Sequence, residues 1–174
     1  MKIVSIVGAR PNFIKLAPIH FSLKEISEHI IVHTGQHYDY NLSKIFFSDL
    51  NIPLPTYDLG IGSESPSKQI SQMIDKLDDV FSTDKFDLAI VYGDTNSTLA
   101  GAITANKSKI KLAHVESGLR SFDKSMPEEI NRTLTDHLSD ILFAPTDSAI
   151  NNLKKENVTG RLFNTGDTSV EVLN

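Results

Sequence analysis

The sequence contains no cysteine. That excludes disulfides, thiolate-bound metal and a cysteine nucleophile, and it fits a reducing compartment. It also lacks any apolar run near the ~18–20 residues that a membrane-spanning helix needs. The opening stretch, MKIVSIVGARPN, breaks at Gly8 and Pro11, too soon for the apolar core of a secretory leader. A cytoplasmic protein with no membrane partner is expected. Basic excess is absent as well. The chain carries 17 Lys and Arg against 22 Asp and Glu, a formal charge of −5. A nucleic-acid footprint is usually basic, so no such partner is expected, although a local pocket for a small anion is allowed.

Several catalytic and cofactor motifs are missing too. There is neither G-x-x-x-x-G-K-[ST] nor G-x-G-x-x-G, and no G-x-S-x-G elbow. His33 and His37 stand four apart, but a strand followed by a loop does not put them on one helix face, so no metal is expected.

What is present is alternation of short apolar runs and helical patterns. The chain has 174 residues, 40% of them hydrophobic, which suits one ordinary domain with a real core. Lys2–Val7, His29–Thr34, Leu88–Tyr92, Ile110–Val115, Ile141–Ala144 and Arg161–Asn164 read as strands; Thr56–Leu59 adds a short one. Helices are expected from Pro11, with a kink or restart at Pro18, over Asn41–Leu50, and after a Ser67 cap through Phe81. Others follow over Ser97–Ala105, from Pro127 with Ile130, Leu134 and Leu138 on one side, and from Thr146. Thr168–Leu173 reads as the start of a further helix. Small residues at Ala100, Gly101, Ala102 and Ala105 would let one helix pack closely on a sheet. This order predicts an α/β fold, a doubly wound, Rossmann-like parallel sheet covered on both faces. Ligands in such sheets bind beyond the carboxyl ends of the strands, and Arg10, Gln36, His37, Asp94 and Glu116 all follow strand ends.

Asp94 and Glu116 bracket one β–α–β unit. Neighbouring strands lie ~4.8 Å apart, and two close carboxylates can split into an acid and a base. Asp94 could equally cap a helix. Glu128 and Glu129 open a helix after Pro127, where acids simply complement the helix dipole. Arg10 and Lys15 flank a helix start behind a glycine turn, a setting that attracts phosphate but also suits two solvated cations. His114 lies inside a strand, as a core histidine or one that supports a site.

The strings GARPNFIKLAP, HTGQHYD, VYGDTNSTLAGA, AHVESGLRS and MPEEINRTLTDHLSDILFAPT resemble the UDP-N-acetylglucosamine 2-epimerases, in order and nearly end to end. The resemblance implies two Rossmann-like domains facing across a cleft, a GT-B-type fold, of which residues 1–174 would be the N-terminal domain and the C-terminal domain is absent. It implies a nucleotide-sugar substrate, a homodimer, and interconversion of UDP-N-acetylglucosamine and UDP-N-acetylmannosamine without a redox step, so no cofactor is expected. It makes Asp94, Glu116 and Glu128 the catalytic acids, with Arg10, Lys15, Gln36 and His37 binding substrate. In the family, residues near the Gln-His motif hold an activating second substrate. Tyr38 and Asp39 depart from the pattern there, so activation is not expected. A hydrolysing relative releasing free N-acetylmannosamine, a diacetamido uronic acid variant and a non-catalytic nucleotide-binding module are the alternatives.

Overall fold

The computed structural model describes residues 1–35 and 40–173. Strands and helices alternate along them: β1 (Lys2–Val7), α1 (Arg10–Leu23), β2 (Glu28–His33), α2 (Tyr40–Asp49), β3 (Tyr57–Asp58), α3 (Pro66–Thr83), β4 (Leu88–Tyr92), α4 (Asn96–Lys107), β5 (Lys111–Val115), α5 (Pro127–Leu138), β6 (Ile141–Ala144), α6 (Asp147–Lys155) and β7 (Arg161–Asn164). A 3₁₀ helix, Thr168–Leu173, follows where an α-helix was expected to begin.

All strands run parallel in one sheet, in the order β3-β2-β1-β4-β5-β6-β7. The chain starts in the middle, winds outward to β3, then crosses back to β4. The reversal lies between β1 and β4, where Ile3 pairs with Leu88 and Ile6 with Val91. Winding in opposite directions leaves a crevice at the carboxyl ends of those two strands. The sheet is Rossmann-like, as the sequence pattern predicts.

The period-two alternation of the strands feeds two cores. Val4, Ile6, Val32, Ala89, Val91 and Leu112 face α3 and α4. Ile3, Val7, Ile31, Ile90, Tyr92 and Val115 share the opposite core with Phe13 and Leu16 of α1. The small face of α4 packs as expected: a Cβ on Gly101 would come within 2.8 Å of Ile6 Cδ1 and 2.9 Å of Val91 Cγ1.

Three local expectations need correction. α1 continues through Pro18 as one helix with no restart, because the losses from one missing N–H are outweighed by the packing of Phe13, Leu16, Ala17 and His20 on either side of it. The helix expected to be capped by Ser67 begins earlier, with Ser65 as N-cap and Pro66 in its first turn. The third concerns α5. Its apolar residues Ile130 and Leu134 are 48% and 47% exposed, while Glu129, Asn131, Thr135 and Asp136 are buried. Ile130 and Leu134 therefore face outward, while Leu138 packs against the core and Glu129, Asn131 and Asp136 are engaged on the buried side.

A polar chain crosses the second core. Ser5 Oγ lies 2.7 Å from both Tyr92 Oη and His29 Nε2, and His29 Nδ1 lies 2.9 Å from His20 Nδ1. One proton fits between the two rings, so a second one is repelled. Burial, then the His20 charge, pushes His29 down to about 4 from 6.5. Unfolded chains bind more protons than folded ones between these values, so this ring's contribution to stability falls as pH drops through that window and is complete above it. The ring is part-exposed, which reduces the expected loss to about 1–2 kcal/mol. Urea denaturation at pH 7 and pH 4.5 should show a smaller acid loss for His29→Gln than for the wild type.

Candidate active site

The turn after β1 sets the first wall. Gly8 has no room for a side chain: a Cβ would overlap Ser97 Oγ and Thr34 Oγ1 and lie 2.9 Å from Ser97 Cβ. That contact draws the β1–α1 turn against the start of α4. Asn12, 1% exposed, ties the two sides of the crevice. Its Oδ1 accepts from the N–H groups of Gly8 (3.2 Å) and Ala9 (3.1 Å), and its Nδ2 donates to the Tyr92 carbonyl at 2.9 Å.

The turn after β4 sets the second. Gly93 adopts φ +64°, a left-handed conformation that glycine enters without strain. Asp94 follows, but it is not the helix cap. Thr95 caps α4, its Oγ1 accepting from the Thr98 N–H at 3.4 Å. The Asp94 side chain is left to pair with Arg132 of α5, and its carbonyl accepts from Asn131 Nδ2 at 2.9 Å.

The turn after β5 sets the third. Glu116 holds φ +69°, where non-glycine residues are uncommon and strain gathers at functional positions. The N–H groups of Glu116 and Ser117 both reach the Phe143 carbonyl, at 3.1 and 3.0 Å, which pins the turn to β6. The Glu116 carboxylate is ion-paired with Lys15 of α1. Lys15 Nζ, Asn12 Nδ2 and Glu116 Oε2 come within 3.7–3.9 Å of where a Gly93 Cβ would stand. The start of α1 and the turns after β4 and β5 thus converge on Gly93.

Of the residues expected from sequence, Lys15, Asp94 and Glu116 meet here. The two acids do not form a bare carboxylate pair; each has its own cation. Glu128 is exposed on the first turn of α5, one turn before Arg132 and on the same face. Arg10 is exposed at the start of α1, with its guanidinium 4.8 Å from the centre of the Phe46 ring. Gln36 and His37 lie outside the described residues. Glu129, the other first-turn acid, is 5% exposed and serves the loop before α5. Burial pushes its carboxyl up, but the N–H groups of Ser121 and Phe122, the Ser121 hydroxyl and Arg132 outweigh this and hold it below its ordinary value. Asn12, Asn131 and Arg132 were not singled out from the sequence. The available signal was polar residues inside otherwise apolar helical patterns. Among the described residues no group of His, Asp and Glu could hold a metal ion, and no helix is long and apolar enough to cross a membrane.

A family model described as UDP-N-acetylglucosamine 2-epimerase matches residues 22–174. The chain belongs to that family. It is 56% identical over 173 residues to a UDP-N-acetylglucosamine 2-epimerase homolog of Methanococcus maripaludis, covering 99% of this chain and 48% of the relative. It is 50% identical over 173 residues to a UDP-2,3-diacetamido-2,3-dideoxy-D-glucuronate 2-epimerase of Pseudomonas aeruginosa, covering 96% and 49%. The crystal structure of the Methanocaldococcus jannaschii UDP-GlcNAc 2-epimerase, in complex with UDP-GlcNAc and UDP, superimposes with a TM-score of 0.96 at 49% identity, covering 99% of this chain and 48% of that one. The chain thus spans about half the length of these epimerases.

Proposed function

We propose that this chain forms the N-terminal half of a two-domain, GT-B-type epimerase that interconverts UDP-N-acetylglucosamine and UDP-N-acetylmannosamine without hydrolysis. The observation that carries the reading is the convergence of two carboxylate–cation pairs, Glu116–Lys15 and Asp94–Arg132, on the switch point of the sheet. The chemistry needs both kinds of group. A carboxylate takes the C2 proton while the C1–O bond breaks, its electron pair leaving with UDP and a C1=C2 double bond forming. A carboxylic acid then returns a proton to the opposite face of C2, and UDP adds back at C1. Asp94 and Glu116 are the acid–base residues, supported by Glu128. Arg10 and Lys15 offset the charge that grows on the diphosphate, and Arg132 adds a further cation beside Asp94. Gln36 and His37 bind substrate, as the family resemblance implies. No redox step occurs, so no nicotinamide is required.

Both UDP and the intermediate must be held away from water until re-addition, which calls for a second domain closing on this one. The isolated 174-residue chain is accordingly expected to be inactive or nearly so; turnover at the rate of the full-length gene product would contradict this. The same reading includes a homodimeric, cytoplasmic enzyme.

Proton NMR of the full-length gene product acting on UDP-N-acetylglucosamine tests the reaction. A UDP-linked N-acetylmannosamine product supports the proposal. Free N-acetylmannosamine with UDP supports the hydrolysing alternative, and binding without turnover a nucleotide-binding module. The Pseudomonas relative favours a second reading, a 2,3-diacetamido uronic acid sugar; turnover of that nucleotide sugar in preference to UDP-N-acetylglucosamine would establish it.

A further inference from the structure

Beneath the site lies a buried charged chain that the proposed chemistry does not use. His114 and Asp136 are both 0% exposed. His114 Nε2 lies 2.7 Å from the Gly93 carbonyl, and its Nδ1 lies 2.7 Å from Asp136 Oδ1. Asp136 Oδ2 accepts from the Gly118 N–H at 3.0 Å and pairs with Arg120 at 2.8 Å. Arg120, with a side chain 1% exposed, also pairs with Glu156 at 2.6 Å.

A count of protons fixes how this chain works. The Gly93 carbonyl can only accept, so His114 Nε2 carries a proton. A second proton must lie between Nδ1 and the Asp136 carboxylate, since two bare acceptors at that separation would repel in a water-free interior. Burial pushes the Asp136 carboxyl up, yet the His114 and Arg120 charges hold it below its ordinary value. A buried charge pair is weak grounds for stability, since apolar side chains of similar size often fill such space as well. What they could not do is grip two loops. Through His114, Asp136 holds Gly93, next to Asp94; directly, it holds Gly118, two residues past Glu116.

We infer that His114 and Asp136 are positioning residues that set Asp94 and Glu116 relative to each other. The inference rests on the catalytic reading of those two acids. Misplacement by ~1 Å costs about a hundredfold in rate. His114→Phe and Asp136→Asn in the full-length gene product should therefore lower kcat by about a hundredfold with KM nearly unchanged, the mark of a defect in the transition state rather than in binding. His114→Gln, which can still donate to the Gly93 carbonyl, should recover much of that loss. In the 174-residue chain, amide NMR should show shifts at Gly93, Asp94, Glu116 and Gly118, with those of β1 and β2 unmoved, which also reports that each variant is folded. Wild-type kcat in folded His114→Phe and Asp136→Asn overturns the inference, as does loss of kcat with equal loss in the Gln variant. Should Glu116→Gln leave turnover intact, the catalytic reading fails instead, and unshifted loop amides would then overturn the positioning role separately.

Discussion

Glu116→Gln in the full-length gene product is expected to lower the turnover of UDP-N-acetylglucosamine by about 10²–10⁴-fold, the range for loss of a general acid or base. The amide keeps the size and shape of the carboxylate but can neither take nor return a proton at neutral pH. Glu116 sits on a turn that both its own N–H and that of Ser117 pin to the Phe143 carbonyl, so the turn itself should survive. Lys15 loses its ion-pair partner, and because the two side chains are only 12% and 23% exposed, the unpaired ammonium should lower stability as well. The expected signature is therefore a large fall in kcat with a small change in KM, together with a lowered urea midpoint for an isolated chain that still folds. Exchange of the C2 proton for solvent deuterium should fall in parallel. A variant that turns over within a fewfold of wild type would remove Glu116 from the chemistry.

The second large effect is structural. Gly8→Ala is expected to destabilise the isolated chain by roughly 3 kcal/mol, at the upper end of the usual overpacking cost. The new methyl would overlap the Ser97 and Thr34 hydroxyls, which lie 2.8 Å apart in a hydrogen bond of their own. Both side chains are fully buried and too short to swing aside, so backbone must move. The backbone in question carries the Asn12 bonds that close the β1–β4 crevice, so substrate affinity should fall as well. Urea denaturation measures the first effect; a loss under about 0.5 kcal/mol, the range of an inert surface change, would show that the turn relaxes freely.

The parts of the molecule that follow from local periodicity were legible in the sequence. β-Branched runs gave the strands, and their alternation with helical patterns gave a parallel sheet whose strand ends carry Asp94 and Glu116. What periodicity cannot carry is partner choice. Asp94 before Thr95 looks like a cap, yet the Thr95 hydroxyl is the group that reaches the Thr98 N–H, and only the crossing of α5 supplies Arg132 to Asp94. α5 itself misleads for the same reason. Its Ile130 and Leu134 read as a core stripe, but the opposite face carries Asn131, Arg132 and Asp136, each bonded to a loop remote in sequence. A helix that serves a site can bury polar side chains that find partners there, as Glu129, Asn131 and Asp136 do. Asn12 was hidden likewise, as a polar residue in the first turn of α1 whose partners are Gly8, Ala9 and Tyr92. The role of Glu128 entered through family resemblance; its place in the first turn of α5 is equally that of a dipole acid.

The central claim is that the switch-point carboxylates and cations serve an elimination and re-addition at C1 and C2 of a UDP-linked sugar. Substrate labelled with oxygen-18 in the bridge between C1 and the β-phosphorus tests it most directly, in deuterated water with the full-length gene product. The account predicts that label moves from the bridge into the non-bridging β-phosphate positions while deuterium enters C2, and that Glu116→Gln suppresses both. Epimerised product that retains all of its oxygen-18 in the bridge would contradict it.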